Sequence, residues 1–71
     1  MDNKFYSEIP SEVLRSAVAG DGAACYRIYW ELRIAGAPEN EYIGWLRMPG
    51  AIDDDECRRS LELLLLGRSN Y

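Results

Sequence analysis

Apolar positions fall into four blocks along the chain, separated by glycine and proline. In the first, Pro10 to Ala19, residues Val13, Leu14, Ala17 and Val18 lie at i, i+1, i+4 and i+5, one stripe of a short helix. Pro10 suits its first turn and Gly20 its stop. The second block, Asp21 to Ala35, carries two periods at once. At period two, Tyr26, Ile28, Trp30, Leu32 and Ile34 alternate with Arg27, Tyr29, Glu31 and Arg33, as in a half-buried strand. At period 3.6, Cys25, Ile28, Tyr29, Leu32 and Ala35 form a stripe as well. The ends favour the helix: Asp21 can cap it, Gly22-Ala23-Ala24 can open it, and Gly36 stands where a C′ glycine belongs.

In the third block Tyr42, Ile43, Trp45 and Leu46 give an apolar face before Met48-Pro49-Gly50 breaks the chain. This is a short helix if the second block is helical, and the second strand of a hairpin across Gly36 to Asn40 if it is not. The fourth block carries the strongest helix signals. Asp53 is the expected N-cap, Asp54, Asp55 and Glu56 favour the positive end of the helix dipole, and Glu56 falls at N3. Ile52 is placed to staple against Cys57, and Gly67 to end the helix. The predicted fold is all-α, a compact bundle of three to four helices. The alternative is α+β, with a hairpin from residues 25–48. One domain spans 1–71, with 1–8 as a flexible or partly ordered arm.

Composition narrows the function. The 71 residues have room for one small core, and a core of this size stabilises weakly by itself. Twelve acidic against eight basic side chains give a net charge of −4. That balance disfavours nucleic acid and anionic membrane as partners, because both need clustered cations. There is no histidine, which excludes imidazole acid/base catalysis, Ser-His and Cys-His nucleophiles and imidazole zinc sites. No phosphate-binding loop or nucleophile elbow is present. No enzyme, cofactor or metal site is expected. Cys25 and Cys57 lack CxxC spacing, and without a secretory signal or a span of membrane length they read as reduced, packed thiols in a cytoplasmic protein.

Three features are candidates for binding. Asp53, Asp54, Asp55 and Glu56 form an acidic run that reads either as dipole capping or as a protein-binding knob. Consecutive helical residues point about 100° apart, so the run does not converge on one metal ion. Arg27, Trp30 and Arg33 pair the residue types that anchor protein interfaces, with Trp30 and Arg33 at i, i+3. Trp30 is equally a candidate for the core. The last helix has two apolar stripes: Cys57, Leu61, Leu64 and Leu65 face the core, and Leu63 and Leu66 lie beside them. The second stripe is either buried in the monomer or a homodimer interface.

From Arg27 onward the chain resembles a winged-helix or helix-turn-helix domain. The segment Arg27 to Pro38 is similar to that family's first helix and exit turn, and Tyr42-Ile43-Gly44-Trp45-Leu46 to its second helix, with Gly50 in the turn. Ile52, Cys57, Leu61 and Leu64 follow the recognition-helix spacing. The resemblance implies a three- or four-helix fold. It departs from the family where a DNA-reading helix needs neutral or basic residues, since Asp53 to Glu56 stand at that turn. In general character the chain also resembles small acidic inhibitors encoded by phages and mobile elements. That likeness implies a host protein as partner, such as a CRISPR-associated complex or a transcription regulator. The expected function is a non-enzymatic protein-binding module, dimeric through Leu63 and Leu66. The alternative is a dimeric helix-turn-helix DNA-binding regulator using Arg58 and Arg59, with Arg33 and Arg47 on the backbone.

Overall fold

A computed structural model describes residues 4–69. Five α-helices follow a 3-10 turn at Lys4–Tyr6: α1 Ser11–Val18, α2 Gly22–Ile34, α3 Glu39–Leu46, α4 Pro49–Ile52 and α5 Asp55–Ser69. Among the described residues there is no strand, so the hairpin alternative for residues 25–48 is excluded. The second block illustrates why. Its 3.6-period stripe is what the fold buries, with Ala24, Cys25, Ile28, Tyr29 and Leu32 inside. Trp30 and Ile34 of the alternating set face outward. The Asp21 carboxylate accepts the amides of Ala23 and Ala24 at 3.0 and 3.4 Å, so the first turn begins with two of its orphan donors satisfied.

Helices α1 and α2 both end in a left-handed glycine, Gly20 at φ +113° and Gly36 at φ +86°. After α2, the Gly36 amide bonds the Arg33 carbonyl and the Ala37 amide bonds the Leu32 carbonyl, at 3.1 and 3.0 Å. This reversal satisfies two terminal acceptors and turns the chain towards α3. Helix α2 is the hub: it packs against α1, α3, α4, α5 and the N-terminal turn. The fully buried side chains Ile28, Leu32, Leu46, Cys25 and Cys57 come from α2, α3 and α5 and form its centre.

Four local expectations change. Pro49 does not merely break the chain but opens the single turn α4, because its fixed φ suits a first helical position. That extra turn moves the cap of α5 one residue on. Asp54, not Asp53, accepts the Cys57 amide, at 3.0 Å, and Asp53 instead closes α4. Ile52, displaced with it, is 55 % exposed and does not staple against the core. Helix α5 runs through Gly67 to Ser69, since no positive φ arises at Gly67 to reverse the chain. Three outer members of the predicted stripes, Val18, Ala35 and Leu65, are exposed rather than buried, lying at the ends or edges of their helices' core faces. At the N-terminus Phe5 and Tyr6 pack on the core, and the indole N–H of Trp45 donates to the Tyr6 hydroxyl at 3.0 Å. Residues 1–3 of the expected arm lie outside the described residues.

Candidate functional site

On α2, Tyr26, Tyr29, Trp30 and Arg33 are spaced i, i+3, i+4 and i+7 and therefore share one face, with Tyr29 buried at its base. The rings touch one another: Tyr29 and Trp30 centroids lie 5.3 Å apart, Tyr26 and Trp30 6.2 Å apart, both edge-on. Tyr42 of α3 meets Tyr29 from behind at 5.5 Å. The Arg33 guanidinium lies over this platform, 5.2 Å from the Trp30 ring centroid and 5.7 Å from that of Tyr29. It also donates to the Tyr29 hydroxyl at 2.7 Å. A cation held by two ring faces and a hydrogen bond has lost most of its rotamer freedom before any partner arrives.

Helix α5 runs alongside and closes a groove of about 470 Å³. Its α5 wall is Glu56, Arg59, Ser60, Leu63 and Leu64. The groove is thus aromatic on one side, aliphatic and charged on the other, with Trp30 41 % and Leu63 64 % exposed.

The groove brings together Trp30, Arg33, Glu56 and Leu63 from the predicted set, and leaves the rest elsewhere. Arg27 points to the α1 side of α2 and sits 3.9 Å from Glu31, beside a shallow hollow shared with Glu12 and Asp21. Asp54 serves as a cap. Asp53 is exposed at the end of α4, and Asp55 is exposed with Arg58 at 3.8 Å. Leu66 is 61 % exposed on the outer face of α5. Tyr26, Tyr29, Ser60 and Leu64 were not singled out by the sequence as site residues. The i, i+3, i+4, i+7 spacing was the available signal for the tyrosines; none in the sequence places α5 beside them.

The two thiols are buried and unbridged. Cys25 donates to the Ala17 carbonyl at 3.7 Å and Cys57 to the Gly22 carbonyl at 3.3 Å. Burial raises the pKa of both. For Cys57 the Asp54 carboxylate beside it adds to desolvation and pushes the thiol up to about 12. For Cys25 burial comes first, then the charges of Asp21 and Asp54. Such thiols stay neutral and are poor nucleophiles. Among the described residues no cluster of three or more Cys, Asp or Glu could hold a metal ion, and no helix is long and apolar enough to cross a membrane. No protein-family model matches the chain, and comparison with curated proteins and with solved structures finds no match.

Proposed function

We propose that this chain is a non-enzymatic protein-binding module whose contact face is the groove between α2 and α5. The observation that carries the reading is Arg33, pre-positioned on the Tyr29–Trp30 platform in the α2–α5 groove. Tyr, Trp and Arg are the residue types that dominate interface energetics, and a side chain already ordered loses less entropy on binding. The lack of histidine and the neutral, buried thiols support binding rather than catalysis. The resemblance to small acidic inhibitors supports a host protein in the cytoplasm as the target, altered in activity by being bound.

The test is affinity capture from a host-cell extract with the wild type, Trp30→Ala and Arg33→Ala immobilised in parallel. The expected result is a partner retained by the wild type and held at least about tenfold more weakly by each variant, the loss of an interface anchor. A partner retained equally by all three moves the contact face away from this groove. Retention of nothing by the folded wild type removes the reading.

A further inference from the structure

We infer that the partner segment seated in the α2–α5 groove is both acidic and apolar. It sets a bulky apolar side chain on the Trp30–Leu63 surface and a neighbouring Asp or Glu carboxylate on the Arg33 guanidinium. The inference rests on the reading of this groove as a protein-binding face and names the chemistry of what binds there. Arg33 carries it. One of its N–H groups donates to the Tyr29 hydroxyl at 2.7 Å, and the Trp30 and Tyr29 rings lie 5.2 and 5.7 Å from its central carbon. The other donors of the guanidinium fork meet no carboxylate, since among the described residues Arg33 forms no ion pair.

The neighbouring cations are answered within the chain. Glu31, the one acid of α2, is turned to Arg27 at 3.9 Å, and Asp55 lies 3.8 Å from Arg58. Arg59 shares the groove with Glu56 and an adjoining hollow with Asp55 and Glu62. Arg33 is thus the groove's charge without an acid of its own, on a chain of net charge −4. A guanidinium held in place with free donors selects a carboxylate, which it takes in a charge-assisted, bidentate pair. The surfaces beside it are apolar and open, with Trp30 41 % and Leu63 64 % exposed, so the carboxylate must come with a bulky apolar neighbour. At about 470 Å³ the groove takes a few side chains of a peptide segment, not a whole folded face. Nucleic acid also stacks on rings and arginine, but it needs clustered cations, and Arg33 stands alone.

Selection of a displayed library of random peptides on the immobilised full chain tests the inference. The expected consensus pairs Asp or Glu with Leu, Ile, Phe or Trp, adjacent or one helical turn apart. Arg33→Gln should bind the recovered peptides about ten- to a hundredfold more weakly, the loss of a charge-assisted hydrogen bond. Arg33→Lys keeps the charge without the planar fork and should fall between. Arg15→Gln, the same charge change at an exposed position of α1, should bind as wild type does. Circular dichroism checks that every variant is folded. Replacing the peptide's acid by its amide should weaken binding to wild type by the same factor and to Arg33→Gln hardly at all, a coupling that a merely structural role of Arg33 does not produce. A consensus without an acid, no enrichment on the folded wild type, or equal binding by Arg33→Gln overturns the inference. Oligothymidylate bound as tightly as the peptides through Arg33 would make nucleic acid the occupant and overturn it too. A non-acidic consensus that still needs Trp30 would sink the acidic partner and leave the proposed function standing. Acidic peptides bound through Arg33 by a chain that captures nothing from host extract would do the reverse.

Discussion

A Cβ placed on Gly50 would overlap the carbonyl group of Gly20 and come within 2.8 Å of its Cα, so α4 meets the turn after α1 backbone to backbone. Gly22, next to that contact, has equally little room: its Cβ would lie 2.6 Å from Asp54 Cβ and 2.8 Å from the Gly50 carbonyl oxygen. These glycines set how closely α4 and the start of α5 approach α2, and hence where α5 lies along the groove.

Gly50→Ala should therefore destabilise the fold by about 1–3 kcal/mol, as overpacking does when no flexible side chain can yield. Gly44→Ala is the contrasting case. Gly44 lies inside α3 with nothing near its missing Cβ, so alanine should stabilise by about 0.5–1 kcal/mol through helix propensity. Denaturant unfolding of both variants measures the difference. Equal effects would mean that the Gly20–Gly50 contact does not constrain the fold.

The acidic run divides into a structural residue and solvated ones. Asp54→Ala removes the acceptor for the Cys57 amide and should cost about 1 kcal/mol. Asp53→Ala, at an exposed position that accepts no cap bond, should stay within about 0.5 kcal/mol of wild type. Thermal or chemical unfolding of the pair decides which residue caps α5.

Tyr6 fixes the N-terminal turn to α3 through the Trp45 indole. Tyr6→Phe keeps the ring and leaves the indole N–H without its 3.0 Å acceptor, for an expected loss of about 1 kcal/mol. Trp45 fluorescence should shift in the native state of the same variant, because the hydroxyl next to the indole is gone. An unchanged spectrum and stability would show that the turn does not hold to α3 in solution.

Alkaline pH should unfold the protein partly through Cys57. Its folded pKa, about 12, stands above the ordinary thiol value of 9.0, so the unfolded state loses its proton first. The contribution is fully present below pH 9 and falls as pH rises from there towards 12, by up to about 1.4 kcal/mol per pH unit. Cys25, also raised, adds to the same trend. Unfolding free energies between pH 8 and 10.5 should fall more steeply for wild type than for Cys57→Ala. Parallel slopes would mean that the Cys57 thiol titrates in the fold as it does in the open chain.

The helices were legible where local chemistry specifies them. Asp21 and Gly36 bracket α2 because a carboxylate can satisfy first-turn amides and glycine can turn left-handed, and both effects act within a few residues. The same signals misplaced the start of α5 by one residue. Asp53 and Asp54 are equally good caps by type, and the choice depended on Pro49 opening a turn that ends at Ile52. Half of the candidate site was readable in the same sense. Trp30 and Arg33 share a face by helical spacing alone, and Leu63 and Leu66 mark a stripe that a core this small does not cover.

By itself, then, the sequence determined the net acidic charge, the lack of imidazole chemistry and the end signals that favour helix, all properties of residue type and short-range spacing, and it left a hairpin over residues 25–48 open until the structure excluded it. The tertiary structure alone decided that α5 lies against the aromatic side of α2, that Asp54 is a cap rather than a contact residue, and that Arg27 faces away from the groove. The first of those outcomes depends on how closely α4 and α5 approach α2, a distance limited where Gly50 meets Gly20 and where Gly22 meets Gly50 and Asp54, contacts between segments far apart in sequence. Periodicity describes which face of a helix is apolar. It carries no information about which neighbour that face will meet, because the same stripe packs equally well on many partners until backbone contact excludes the others.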